Sequence, residues 1–284
     1  MIDNICKYLA ETFSADFASW ILGKAVTLIK IKPSELSIEP IRADSVIFLE
    51  STDIILHIEF QTEPNPNIPF RMADYRLRLY RKFPKKRIYQ VVIYLSPSQS
   101  QLVYETTFSI GSLKHEFNVI RLWEQQTEIF QQYQGLLPFA TLTQTNNPEA
   151  TLRQVAKQIE NIEDKQIRSN VAASTAIISG IALNKEIIQK LLRSDIMKES
   201  IIYQEILLEG RAEGRAEGRA EGRAEGEANA SNKIALNMLQ SNISIDLIAQ
   251  FTGLTLKQIQ KLQKLSEQTS KLPKSTKSRR SPKS

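Results

Sequence analysis

Apolar residues recur at helical spacing in "IDNICKYLAETF" (2–13) and again over roughly 14–30, which predicts two helices at the start of the chain. Pro33 and Pro40 then bracket a short connector, "SELSIE". Beyond it the pattern changes to short apolar blocks of strand type: "IRADSVIFL" (41–49), "IILHIEFQ" (54–61), "RIYQVVIYL" (87–95), a weaker "LVYETTFSI" (102–110) and "HEFNVIRLW" (115–123). Helical spacing returns once between them, in "FRMADYRLRLYRKF" (70–83). The order helix, strand, strand, helix, strand, further strands predicts an α/β core over residues 1–145.

After Thr145 the strand pattern disappears. Residues 146–208 read as helical throughout. A tetrapeptide repeat, "GRAEGRAEGRAEGRAEGE", occupies the region 209–230. Helical, it would carry glycines costing about 1 kcal/mol each relative to Ala, and its i,i+4 pairs set Arg against Arg and Glu against Glu. Two readings stay open: a flexible linker, or a helix that packs against a second copy and makes a homo-oligomer. Residues 231–268 end in "SIDLIAQFTGLTLKQIQKLQ", two short helices around Gly253 with Ser244 and Thr255 as caps, a helix-turn-helix outline that either reads DNA or serves packing. Residues 269–284 form a basic tail expected to be disordered.

Charge changes the picture only at that tail. The net charge is +6, and Lys271 to Ser284 alone holds six basic residues and no acid, so residues 1–270 are neutral. The basic pI therefore describes the tail, which holds polyanions or merely solubilises the end of the chain. One cysteine, Cys6, rules out an internal disulfide and fits a reducing compartment. The most apolar run, Val171 to Leu183, is interrupted by Ser, Thr and Gly and is too short to span a bilayer. A soluble, cytoplasmic protein without a membrane segment is expected.

The candidate chemistry sits on the strands 41–49 and 54–61. Joined by a four-residue loop "ESTD" (50–53), they form a hairpin in which Leu49 faces Ile54 and Asp44 faces Glu59. Alternation places His57 and Gln61 on the Glu59 face. Two opposed carboxylates repel, and burying them is costly unless something neutralises them. A hard divalent cation, Mg²⁺ or Mn²⁺, does this, and such a cation activates water and stabilises charge on a phosphoryl group. The competing reading is a partly exposed hairpin whose acids pair with Arg42 and Arg71. His57, alone in an apolar strand, is more often a satisfied core residue than a site residue.

Asp44 followed by "EFQ" (59–61) resembles the PD-(D/E)XK nuclease signature. Together with "FRMADY" (70–75), the GRAE-type repeat and the C-terminal helix pair, it is most similar to the recombination-promoting nuclease (Rpn) family, whose members are also described as transposase-like. The resemblance implies a restriction-endonuclease-like α/β core with a mixed sheet, followed by an all-helical C-terminal region. It implies a metal-dependent DNA endonuclease linked to recombination or mobile elements. On that resemblance Asp44, Glu59 and the Phe60 backbone carbonyl hold Mg²⁺ or Mn²⁺, and Gln61, in place of the usual lysine, orients the water. Glu39 or Glu35 supplies an extra acid. Arg71, Tyr75, Arg78 and Lys82 fall on one helical stripe that suits DNA phosphates, with a solvated charged face as the competing reading for Arg78 and Lys82. The alternative is a non-catalytic DNA-binding or oligomeric scaffold that keeps the nuclease fold.

Overall fold

The computed structural model describes residues 2–24, 26, 28–31 and 46–270. Glu35, Glu39, Arg42, Asp44 and the basic tail from Lys271 lie outside the described residues. Two compact units are present, Met1–Leu207 and Leu208–Ser284.

The first unit opens with α1 (Ile2–Thr12) and α2 (Ser14–Leu22). The second helix is shorter than its apolar spacing predicts, because Gly23 adopts a left-handed conformation (φ 68°) and ends it. Strands β1 (Ile29–Lys30), β2 (Val46–Glu50) and β3 (Ile54–Gln61) follow, then α3 (Ile68–Lys82) and β4 (Arg87–Tyr94). Pro69 in its first turn and Arg81 and Lys82 in its last suit the two ends of α3. A 3₁₀ turn (Gln101–Tyr104) leads into the hairpin β5 (Thr107–Ile110) and β6 (Leu113–Glu116), and then β7 (Asn118–Arg121). Two predicted strands are therefore remade. The 102–110 segment begins as a 3₁₀ turn, and 115–123 breaks between β6 and β7, which lie in different sheets.

The main sheet is mixed, in the order β1-β2-β3-β4-β7. The β1–β2 and β2–β3 pairs are antiparallel, whereas β3–β4 and β4–β7 are parallel, with α3 as the crossover from β3 to β4. Leu56, Ile58 and Phe60 of β3 face one side, where they join Ile5, Leu9 and Phe17 of the first two helices in the larger core. Phe60 stacks on Phe139 and meets Phe17 edge-on. The rest of this layer comes from a 3₁₀ segment (Leu137–Leu142) that follows α4 (Thr127–Gln131), and from α5 (Pro148–Glu160), α6 (Lys165–Ser179), α7 (Lys185–Leu191) and α8 (Ser194–Lys198). The opposite face of β3 is covered by α3. Apolar packing there forms two separate clusters, one of Phe48, Ile55, Tyr75 and Leu79 with Ile31, the other of Ile68, Met72, Val92, Tyr94, Val103 and Phe117.

The β2–β3 hairpin has a tighter turn than the sequence suggests. Ser51 N donates to Ile54 O (2.8 Å), and the Ser51 hydroxyl accepts from Ile54 N (3.2 Å). These bonds pair Ile54 with Ser51 instead of Leu49, two residues further along β2, leaving only Thr52 and Asp53 in the turn. The register moves by two, and Val46 rather than residue 44 stands opposite Glu59. A shift of two keeps every side chain on its expected face, so His57 and Glu59 still share one side of the strand.

The GRAE repeat lies within α9 (Ile201–Gln240) and is helical. In the second unit, the end of α9 packs with α10 (Ile245–Thr252) and α11 (Leu256–Ser270) around Ala235, Ile248 and Ile259. Gly253 makes the sharp turn with a left-handed backbone (φ 69°). At the start of α11 Thr255 and Gln258 form a reciprocal capping box: Gln258 Oε1 accepts from Thr255 N (2.8 Å), and Gln258 N donates to Thr255 Oγ1 (3.4 Å).

Candidate active site

The gap between the two apolar clusters under α3 is filled by polar groups. His57 and Glu59 project from β3, and Gln90 from the adjacent position of β4, where it is in register with His57. His57 and Glu59 are wholly buried and Gln90 is 3% exposed. A carboxylate so placed requires compensation. Arg71, one turn into α3, supplies it by forming an ion pair with Glu59 Oε1. One turn further along α3, Tyr75 sets its ring edge-on to His57 at 5.2 Å. Burial and the nearby Glu59 push the Tyr75 hydroxyl above the usual phenol range, so it stays protonated.

His57 is held on three sides. Phe48 lies against its ring at 4.8 Å and Tyr75 meets it edge-on. Gln90 Nε2 lies 2.9 Å from His57 Nδ1 and donates its other hydrogen to the Met72 carbonyl, also at 2.9 Å. Desolvation by burial lowers the imidazole pKa below its ordinary value, outweighing the opposite pull of Glu59. The ring is therefore neutral at pH 7. Its Nε2 lies 3.6 Å from Glu59 Oε2, beyond hydrogen-bonding distance.

Several polar atoms here are incompletely satisfied. Glu59 Oε1 contacts Arg71 as an ion pair, yet neither Glu59 oxygen has a well-formed hydrogen bond, and the same holds for His57 Nε2 and Gln90 Oε1. Buried polar atoms are rarely left so, and these four lie together under α3. Carboxylate oxygens are the hard donors that a divalent cation takes, but Arg71 already pairs with Oε1. Among the described residues no cluster of three or more His, Cys, Asp or Glu is placed to hold a metal ion. The second expected carboxylate, Asp44, and the extra acids Glu35 and Glu39 lie outside them.

The remaining expected residues fall as follows. Gln61 ends β3 two positions beyond Glu59 and is half-buried. Its carbonyl accepts from Leu95 N (2.9 Å), so alternation turns the Phe60 carbonyl toward the β2 edge of the strand. Arg71 and Tyr75 do not form an open phosphate stripe with Arg78 and Lys82. Tyr75 is 6% exposed, and Arg71 is turned inward onto Glu59. Arg78 pairs with Asp74 at 2.9 Å, and Lys82 lies over the Phe83 ring at the exposed end of α3. Sequence reasoning missed Gln90. Its signal was present, since it is the single amide in the apolar run "YQVVIY" (89–94).

Residues 228–264 match a family model described as the C-terminal HTH domain of the Rpn/YhgA-like nuclease family. The matched segment covers the end of α9, all of α10 and the start of α11, the three helices that share the small core. This match supports the resemblance to the Rpn family. No curated protein and no solved structure matches the chain. Among the described residues no helix is long and apolar enough to cross a membrane.

Proposed function

We propose that this chain, which carries the C-terminal segment of an Rpn/YhgA-like nuclease, is a metal-dependent DNA endonuclease with a PD-(D/E)XK-type core. The observation that carries the reading is Glu59: a wholly buried carboxylate near the end of a central strand, with Oε1 ion-paired to Arg71, Oε2 without a hydrogen bond, and Gln61 two residues on. The mixed sheet, with an antiparallel hairpin leading into a parallel β3-α3-β4 crossover, suits that core. Glu59, Asp44 and the Phe60 carbonyl would hold Mg²⁺ or Mn²⁺. The bound cation supplies an acidified water and charge neutralisation at the scissile phosphate.

The chain's own residues do the rest. Gln61 orients a water through its amide, which accepts and donates but adds no charge. Arg71, 28% exposed, holds Glu59 in place and offers its remaining donors toward a phosphate. In the second unit, Lys257, Gln260 and Lys261 are exposed on the first turns of α11 and are available to DNA, whereas Gln258 is committed to its cap.

The test is relaxation of supercoiled plasmid in Mg²⁺ or Mn²⁺ by wild type, Asp44→Ala and Glu59→Gln. Cleavage by wild type and its loss in both variants is the expected result. Undiminished cleavage by the variants removes Glu59 and Asp44 from the chemistry. One feature favours a second reading, a DNA-binding scaffold without catalysis: Arg71 already gives Glu59 the positive partner that a cation would provide. Mobility shift of DNA by wild type with no cleavage in either metal would select it.

A further inference from the structure

We infer that Gln90 and His57 are positioning residues for Glu59: Gln90 fixes the imidazole in its Nε2–H form and thereby aims a neutral donor at the inner oxygen of the carboxylate. Gln90 Nε2 carries two hydrogens and has two neighbours at 2.9 Å, the Met72 carbonyl and His57 Nδ1. A carbonyl oxygen only accepts, so the Met72 contact fixes which end of the amide is the NH₂ group. The second hydrogen then points at His57 Nδ1, which must accept it. A neutral imidazole that accepts at Nδ1 carries its proton on Nε2. That proton faces Glu59 Oε2 across 3.6 Å.

The arrangement has a consequence that Arg71 alone does not provide. Arg71 reaches Glu59 from the partly exposed side, at Oε1, whereas His57 addresses Oε2 from inside the sheet. Arg71 is paired with one oxygen of the carboxylate, and the His57 N–H stands 3.6 Å from the other, a long electrostatic contact that biases the carboxylate's orientation without a hydrogen bond. His57 does so without adding a charge, leaving the carboxylate's own charge available to a cation. An Nδ1–H imidazole would instead turn the Nε2 lone pair toward Oε2 and repel it. The wall behind the ring is apolar on one side (Phe48) and aromatic on the other (Tyr75), so the ring has no alternative partner for a second orientation among these neighbours.

This inference rests on the nuclease reading for what Glu59 holds, but not for how Glu59 is held. Two measurements separate the two. The chain has two histidines, so the side-chain nitrogens of His57 are assignable in full-length ¹⁵N-labelled protein, with a His115→Gln variant identifying the other ring. Wild type should show His57 with a bare Nδ1 and a protonated Nε2. Gln90→Met, of similar size and without a donor, should lose that pattern; the Met72 carbonyl, inside α3, keeps its helical position without the Gln90 amide. Mn²⁺ affinity of the same proteins, followed by the spin resonance of the free ion, should fall about tenfold in Gln90→Met, as expected for the loss of a group that orients a ligand.

An Nδ1–H pattern in the wild type overturns the proposal without any variant. So does a Gln90→Met protein that keeps either the wild-type pattern or the wild-type Mn²⁺ affinity. A wild type that shows the Nε2–H pattern, loses it in Gln90→Met and binds no Mn²⁺ sinks the metal reading of Glu59 while sustaining the role of Gln90 in holding His57.

Discussion

Glu59 and Arg71 form an ion pair of unequal ends, the carboxylate wholly buried and the guanidinium 28% exposed. Losing the buried end removes a charge from an apolar setting. Losing the outer end leaves that charge stranded. Arg71→Ala should therefore destabilise the first unit by about 3 kcal/mol, the lower part of the range for breaking a buried pair. Glu59→Gln should have a distinctly smaller effect, because Arg71 reaches water. In the double variant the loss should be less than the sum of the two. Urea unfolding of the four proteins measures the coupling, and simple additivity would show that the pair contributes nothing as a pair.

Gln61 should govern the rate of cleavage without governing the fold. With its side chain half-buried at the end of β3, Gln61→Ala should lower plasmid nicking severalfold at unchanged unfolding temperature, while Gln61→Lys should keep or raise it by adding a charge near the phosphate. Equal rates for Gln61→Ala and wild type would make this amide an ordinary strand residue.

How far the sequence carried these expectations depends on the kind of signal. Alternation in "IILHIEFQ" is strong, and it placed His57 and Glu59 on one face correctly. Register is a finer matter. It turned on the Ser51 hydroxyl, which accepts from Ile54 N and tightens the turn, and no periodicity reports a side-chain bond of that kind. Apolar spacing carried α2 too far because Gly23 stops it by conformation, without any change in polarity. "HEFNVIRLW" reads as one strand, yet the pairing with the β5 side ends at Phe117, whose N–H donates to the Thr106 carbonyl, and the chain changes sheets before Asn118. Gln90 was passed over because a lone amide in an apolar strand has no meaning until its partner, His57 on a neighbouring strand, is known. Helical spacing groups Arg71 and Tyr75 with Arg78 and Lys82, but only the sheet beneath shows that Tyr75 is buried and that Arg71 pairs with Glu59.

Asp16 gives a pH-dependent prediction away from the site. Its carboxylate accepts from Gly135 N (2.9 Å), yet burial dominates and raises its pKa above the ordinary 3.8. Folding thus disfavours the ionised form. The penalty is present above the raised folded value and disappears as pH falls through 3.8. Asp16→Asn keeps an acceptor for Gly135 and removes the penalty. It should equal or exceed wild-type stability at pH 7 and flatten the stability profile above pH 4, measured by urea unfolding across that range. Gly135 is itself constrained: a Cβ there would overlap the Phe13 side chain, so Gly135→Ala should cost about 1–3 kcal/mol.

Cys6 should act as a reporter of global unfolding. It is fully buried in α1, and burial with the nearby Asp3 pushes its thiol well above the usual range. The thiolate is the reactive form. Native protein should react with a disulfide reagent only through opening of the first unit, so the rate should rise steeply with urea. Fast labelling in buffer would mean that α1 detaches without global unfolding.

The glycine row of α9 yields the last prediction. Gly210, Gly214, Gly218, Gly222 and Gly226 lie in a helix, and a Cβ added at any of them meets nothing within 4 Å. No contact within the described chain compensates for their flexibility. Each should therefore weaken the helix by about 1 kcal/mol relative to alanine. Gly218→Ala with Gly222→Ala should raise helix content and the midpoint of thermal loss of helix in circular dichroism, with no change in the first unit. Sedimentation of the same protein gives the second reading of the repeat. Between two chains, glycine permits backbones to approach closely, and alanine would hold them apart. A gain in helix at constant mass makes the repeat a helix that stands alone. A gain in helix accompanied by a fall in mass assigns the glycines to a contact between copies, where closeness of approach outweighs the intrinsic cost of glycine.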